Sequence, residues 1–178
     1  MGRSEVPALS LTEWLVLCLV AEGATHGFAV ATVTSPDGEL GRVWRIRRPL
    51  VYRALQRLRD LDLVAEAGTE STPHGPARTL VQVTTAGAAA ARWWLAQPVG
   101  HIRDVRSELM VKFALLDRAG VDASGLIAAQ RQAVEPIVEA LGARRDEAGG
   151  FERTLAGWRY EMAAATLTFL DQVQADAR

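Results

Sequence analysis

Arg42, Arg45, Arg47, Arg48, Arg53, Arg57 and Arg59 fall within a stretch that holds no aspartate or glutamate. Guanidinium groups are permanently charged and carry a planar fork of donors that suits phosphate oxygens and guanine edges. The chain as a whole is nearly neutral, with a formal net charge of −1, so attraction for a polyanion has to be local. Arginine supplies 19 of the 20 basic residues, Lys112 being the one lysine. Such a bias accompanies any arginine-rich proteome, and the clustering is the informative part. A second, smaller set comprises His74, Gly75 and Arg78. There, glycine lets backbone come close to a duplex and Arg78 brings charge.

Other chemistries find little footing. No phosphate-cradling glycine loop, nucleophile elbow or paired metal motif is present, and no enzyme activity is expected. His26, His74 and His101 are the three histidines and lack ligand-like spacing, so neither a metal nor a cofactor is expected. Cys18 is the single cysteine, which excludes an intramolecular disulfide; it lies in the apolar run Trp14–Val20 and should be buried. No apolar run reaches membrane-spanning length and no targeting segment is apparent, so the chain is expected to be cytoplasmic, with no membrane partner.

The arginines need elements to hold them. Ser10 and Glu13 have the spacing of a capping box ahead of a helix reaching about Glu22, apolar on most sides. Thr25 is positioned to cap a second helix, from His26 to about Thr34; for His26 itself a capping or hydrogen-bonding role is expected. Val43, Trp44 and Ile46 suggest a short strand. Pro49 suits the first turn of a third helix, to about Asp60. Val51, Leu55 and Leu58 would form its inner face, with Arg53, Gln56, Arg57 and Asp60 opposite. Leu63–Ala67 and Thr79–Thr84 read as strands of a hairpin with a long, mobile tip over residues 68–77. Thr84 or Thr85 should cap a fourth helix carrying Trp93 and Trp94.

Three helices followed by a two-stranded wing describe a winged helix-turn-helix. The fold class is therefore mostly α: an N-terminal winged helix-turn-helix followed by a helical domain. The expected boundaries are a flexible tail at 1–9, the DNA-binding domain with its exit helix at 10–97, and a helical dimerisation domain at 98–178. In the latter, Asp104–Arg118 is helical. Asp122 caps a segment to about Glu147, kinked or broken at Pro136. A final helix, Phe151–Ala175, places Leu155, Trp158, Met162, Ala165, Phe169 and Val173 on one broad stripe. Such stripes predict a coiled-coil-like dimer interface.

Within the arginine run, Arg47, Arg48 and Arg53 are placed to reach base edges. Arg57 and Arg59 should meet phosphates or Asp60 and Asp62, Arg42 and Arg45 should flank the groove, and Tyr52 can hydrogen-bond a phosphate. Packing accounts for most tryptophans of this kind. The sharper reading makes Trp93, Trp94 and Trp158 the wall of a pocket for a small aromatic effector. Neighbours on a helix point about 100° apart, so one of Trp93 and Trp94 should face away from its own core.

The chain resembles the PadR family of bacterial transcriptional regulators over roughly residues 10–95. The resemblance runs through Leu11–Gly23 (LTEWLVLCLVAEG), Thr25–Phe28 (THGF), Trp44, Leu50–Leu58 (LVYRALQRL), Leu61–Val64 (LDLV), Gly75–Arg78 (GPAR) and Val83–Gly87 (VTTAG). It implies a homodimeric repressor whose third helix enters the major groove of double-stranded DNA at an inverted-repeat operator. It further implies a wing that touches the backbone, C-terminal helices that dimerise as in the larger-tailed subgroup, and relief by a small ligand. Three positions depart from the family: Asp62 stands where glycine commonly ends the recognition helix, Val81–Val83 lacks a usual tyrosine, and Arg47–Pro49 replaces a serine- and glycine-rich approach. The competing reading is a winged-helix adaptor whose arginine face meets an acidic protein.

Overall fold

The computed structural model describes residues 8–72 and 75–176. Most of the expected N-terminal tail, and His74 at the tip of the wing, lie outside the described residues. Two compact units divide between Leu95 and Ala96.

The first unit is built around helix α1, Leu11–Ala21, in which every residue from Trp14 to Val20 is buried. It opens on the expected capping box: the Glu13 amide donates to Ser10 Oγ at 3.3 Å and the Ser10 amide to Glu13 Oε2 at 2.7 Å. Helix α2, Gly27–Val33, is capped by His26, whose Nδ1 accepts from the Ala29 amide at 3.0 Å. Thr25, the expected cap, pairs its backbone with Val81 instead, with bonds of 2.9 and 2.7 Å. That bridge fastens the start of α2 to the wing. A Cβ on Gly27 would lie 2.7 Å from Tyr52 Cε1, so the bare backbone here permits the close approach of the next helix.

The expected strand at Val43, Trp44 and Ile46 does not form; residues 36–44 are a chain of turns. Local bonds satisfy the backbone (Trp44 amide to the Leu40 carbonyl, 2.9 Å), and the Ile46 amide reaches the Thr34 carbonyl at 3.0 Å. Helix α3, Arg48–Asp60, has Pro49 in its first turn. It ends at Asp62, the one non-glycine residue with positive φ (55°) among those described. Aspartate stands here in the left-handed conformation that glycine more often supplies.

Strands β1, Val64–Thr72, and β2, Gly75–Val83, pair antiparallel from Val64↔Val83 to Thr72↔Gly75. They run farther than expected. Gly68, assigned to the loop from sequence, sits at a register shift within the ladder with φ 125°. Helix α4, Thr85–Ala96, is capped by Thr84, whose hydroxyl accepts from the Gly87 amide at 3.0 Å and donates to the Asp62 carbonyl at 2.7 Å. One side chain thereby joins the end of α3 to the start of α4.

The second unit begins with a 3₁₀ turn, Ile102–Asp104, and a π-helical turn, Val105–Leu109, leading into α5, Met110–Arg118. Helix α6, Ser124–Glu147, runs through Pro136, which does not break it. Asp122 accepts from the Ser124 hydroxyl and amide, which holds its carboxyl below the ordinary aspartate range. Helix α7, Gly150–Asp176, pairs with α6. Arg144–Glu152 at 3.3 Å and Arg131–Asp171 bridge them. Among the described residues, no helix is long and apolar enough to cross a membrane.

Two buried polar side chains hold the segment that opens this unit. Gln130 accepts from the Val99 amide at 2.8 Å and donates to the Val99 carbonyl at 3.1 Å. Lys112 donates to the Gln97 carbonyl at 2.9 Å and pairs with Glu108 at 2.7 Å. An amide that satisfies both backbone groups of one residue is hard to replace. Gln130→Leu would leave both unpaired and is expected to destabilise the chain by about 2–4 kcal/mol. Urea unfolding checks this; a loss of less than about 0.5 kcal/mol would show that the pairing contributes little.

Candidate nucleic-acid interface

Helix α3 has two chemically separate sides. Val51, Ala54, Leu55 and Leu58 are buried, whereas Tyr52, Arg53, Gln56 and Arg57 are exposed. Core packing therefore fixes which side chains face out, as the 3.6-residue period predicts. The amino end is unusual. Arg47 is the N-cap residue and makes no side-chain capping bond, the first turn holds no acid, and Arg48 follows directly. A helix amino terminus carries about half a positive charge and is stabilised by anions. Adding Arg47 and Arg48 there, with Arg45 exposed beside them, runs against local stability. A ligand that brings negative charge removes the conflict.

Toward its carboxyl end one of the two arginines is paired within the fold. Arg59, expected to meet a phosphate or Asp60 and Asp62, pairs with Glu66 at 2.8 Å, across to the first strand of the wing. The Gln56 amide donates to Asp60 Oδ1 at 2.9 Å. The positive surface of α3 is thus concentrated on Arg47, Arg48, Arg53 and Arg57. Arg42 is also exposed.

The wing meets the helices through His26, Phe28, Glu70 and Arg78. Glu70 and Arg78 are direct cross-strand partners. Because His26 Nδ1 accepts from Ala29, a neutral ring carries its proton on Nε2. That nitrogen lies 3.5 Å from Glu70 Oε2 and 3.2 Å from Arg78 Nη1. The guanidinium carbons of Arg78 and Arg48 stand 4.9 and 5.1 Å from the centre of the Phe28 ring, and that of Arg48 is also 5.8 Å from the Tyr52 ring. Arg48, Tyr52, Arg78 and Phe28 therefore come together, while Gly75 opens β2 at the far end of the wing. Sequence reasoning missed Phe28. Its one signal was an aromatic residue directly after a cap and a glycine, which reads equally well as core.

The tryptophans divide. Trp94 is buried and stacks on Trp14, with ring centres 5.4 Å apart and planes 6° from parallel. Its expected place in an effector pocket is corrected: it belongs to the core of the first unit. Trp93, the neighbour 100° around the helix, is 47% exposed. Trp158 belongs to the second unit, where it borders a cleft of about 880 Å³ with Met162 and Phe169 on one side and Arg103, Arg106 and Arg159 around it. Among the described residues no acidic side chain lines that cleft. Among the described residues no group of three histidine, cysteine or acidic side chains is placed to hold a metal ion.

The fold is similar to that of PadR. The crystal structure of Bacillus subtilis PadR in complex with operator DNA shares 17% identity, with 95% of this chain and 100% of that chain covered and a TM-score of 0.48. PadR of the same organism in complex with p-coumaric acid shares 18%, covering 94% and 99%, at 0.43. The smu.1604c protein of Streptococcus mutans UA159 shares 11%, covering 92% and 98%, at 0.43. No family model and no curated protein matches the sequence.

The two neighbouring tryptophans should answer differently to truncation. Trp94→Ala is expected to cost about 3–5 kcal/mol, as for a large buried aromatic, and Trp93→Ala less than about 1.5 kcal/mol. Thermal or urea unfolding of both variants decides; equal losses would contradict the division between core and surface.

Proposed function

We propose that the chain is a sequence-specific, DNA-binding transcriptional regulator of the cytoplasm, acting as a homodimeric repressor. The observation that carries the reading is the unbalanced positive end of α3, where Arg45, Arg47 and Arg48 gather at a helix amino terminus on a winged helix-turn-helix. Residues 10–97 act as the DNA-binding domain and 98–178 as the dimerisation domain. Arg47, Arg48 and Arg53 lie toward the start of α3 and read base edges, where a bidentate arginine–guanine pair discriminates by about 1–3 kcal/mol. Arg45, Arg57 and Tyr52 meet phosphates, and Arg78, with Gly75 and His74 at the wing tip, approaches the backbone. Two recognition helices related by a dimer axis require an inverted repeat with half-sites about one helical turn apart or a multiple. Repression then follows from occlusion of a promoter.

Dimerisation is supported by α7. Trp158 is 63% exposed and Met162 47% exposed, on the stripe that also carries Leu155, Ala165 and Phe169. Apolar side chains this large, spaced three and four apart on a long helix, suit a second copy of the same helix. The cleft beside Trp158 has an aromatic wall and an arginine rim, which suits a small aromatic effector bearing a carboxylate.

Duplex binding at graded salt tests the main reading. The logarithm of the binding constant should fall with log salt by about 0.9 for each phosphate neutralised. Arg48→Ala and Arg53→Ala should narrow the gap between selected and random sequences by about tenfold or more, whereas Arg57→Ala should weaken both equally. Indifference to duplex DNA would favour an adaptor for an acidic protein. Light scattering tests the dimer: Trp158→Asp with Met162→Glu is expected to halve the particle mass, and an unchanged mass would move the interface elsewhere.

A further inference from the structure

We infer that Phe28 is a positioning residue that fixes the Arg48 guanidinium of the recognition helix against the Arg78 guanidinium of the wing, and so sets the spacing at which the two meet DNA. The inference rests on the DNA-binding reading above and adds to it a residue that touches neither base nor phosphate in its own right.

The ring is well anchored. It follows Gly27, whose close approach to Tyr52 and Leu55 locks α2 onto α3, and His26 caps the same turn. Yet the ring itself is 43% exposed. Its partners come from two other elements: Arg48 from α3 at 5.1 Å and Arg78 from β2 at 4.9 Å. Three elements thus meet at one aromatic face system, and attraction of cations to the ring quadrupole ties them together.

The kind of contact matters as much as its place. Arg59 spends donors on the carboxylate of Glu66. A guanidinium held by an aromatic ring keeps its N–H donors for oxygen and nitrogen acceptors. Arg48 and Arg78 are therefore ordered without being used up. Ordering long side chains before binding lowers the entropy lost on association. Both cations lie within about 5 Å of the same ring centre, so they repel each other. Glu70, cross-strand from Arg78, offsets part of that repulsion. An incoming phosphate or base edge offsets the rest, so the pair is better satisfied with nucleic acid than without it.

The test uses a duplex selected from random sequence by the wild-type chain. Phe28→Leu retains apolar volume and removes the π face. It is expected to weaken binding to the selected duplex by about tenfold, to weaken random duplex less, and to leave the salt slope unchanged because no phosphate contact is deleted. Phe28→Tyr should bind as the wild type does. In an Arg48→Ala/Arg78→Ala background, Phe28→Leu should have no further effect. A purely packing role would instead lower the melting temperature and weaken binding by the same factor in both backgrounds, and that result would overturn the proposal. So would wild-type affinity in Phe28→Leu while the wild-type chain itself binds the selected duplex. If selection by the wild-type chain enriches no sequence, the DNA-binding reading and this inference fall together.

Discussion

A helix that is apolar on every side has to be enclosed, and in the first unit that requirement arranges everything else. From Trp14 to Val20 no residue of α1 faces solvent. Helix α3 covers it with Val51, Ala54, Leu55 and Leu58; the second strand of the wing contributes Val81; α4 closes over Trp14 with Trp94. Each covering element spends its apolar side inward, so its charged side has one remaining direction. The arginines of α3 face outward because the helix beneath them is greasy, not because anything pulls them out. Burial of side chains such as Leu55 and Leu58 contributes roughly 2 kcal/mol each, against a few tenths to 1 kcal/mol for the charge conflict at the start of α3. Packing therefore wins, and the helix tolerates an electrostatically poor amino end.

That imbalance separates the arginines by their surroundings instead of by their number. Where a carboxylate is within reach, as Glu66 is for Arg59, the charge is spent on holding the fold together. Where the neighbour is an aromatic ring, as for Arg48 and Arg78, orientation is fixed and the donors stay available. Where nothing is near, as at a solvent-facing guanidinium, binding must also supply the order. A run that looks uniform in sequence becomes three populations once the neighbours are known. Two of the three distinctions are set by residues outside the run: Glu66 beyond its end for Arg59, and Phe28 before its start for Arg48.

What could be read from the sequence tracks the range of the interaction concerned. The capping box at Ser10 and Glu13, the period of α3 and the left-handed Asp62 depend on neighbours within a turn or two, and they were legible. Thr25 was expected to cap α2 and does not, whereas the capping role expected for His26 is realised. Thr25 is instead tied through its backbone to Val81 of the wing, a partner far along the chain that no local reading supplies. The wing was drawn too short because Gly68 signals a loop; a glycine within paired strands also marks a bulge, and pairing from both sides extended the ladder through it. The strand at Val43–Ile46 does not form because local turns satisfy its backbone, with the Trp44 amide on the Leu40 carbonyl and the Ile46 amide on the Thr34 carbonyl. Phe28 was invisible because its meaning comes from two guanidinium groups that lie 20 and 50 residues away.

Helix α7 shows why an apolar stripe drawn from sequence need not be the buried face. Its buried residues are Ala156, Ala163, Thr166 and Leu170. The stripe drawn from sequence, Leu155, Trp158, Met162, Ala165 and Phe169, contains the same pattern displaced by one residue, about 100° around the helix. Two seams therefore run side by side. The inner seam is mostly small, which lets α6 come close, and a Cβ on Gly142 of α6 would lie 3.4 Å from Tyr160 Cε2. The outer seam holds the bulky side chains Trp158 and Met162 and leaves them in solvent. A helix evolved only to pack within its own subunit would place large residues inward and polar ones outward. Reversing that order costs exposure of apolar surface in the isolated chain. The dimer proposed above would cover the outer seam, because a second α7 presents the same three-and-four spacing in return.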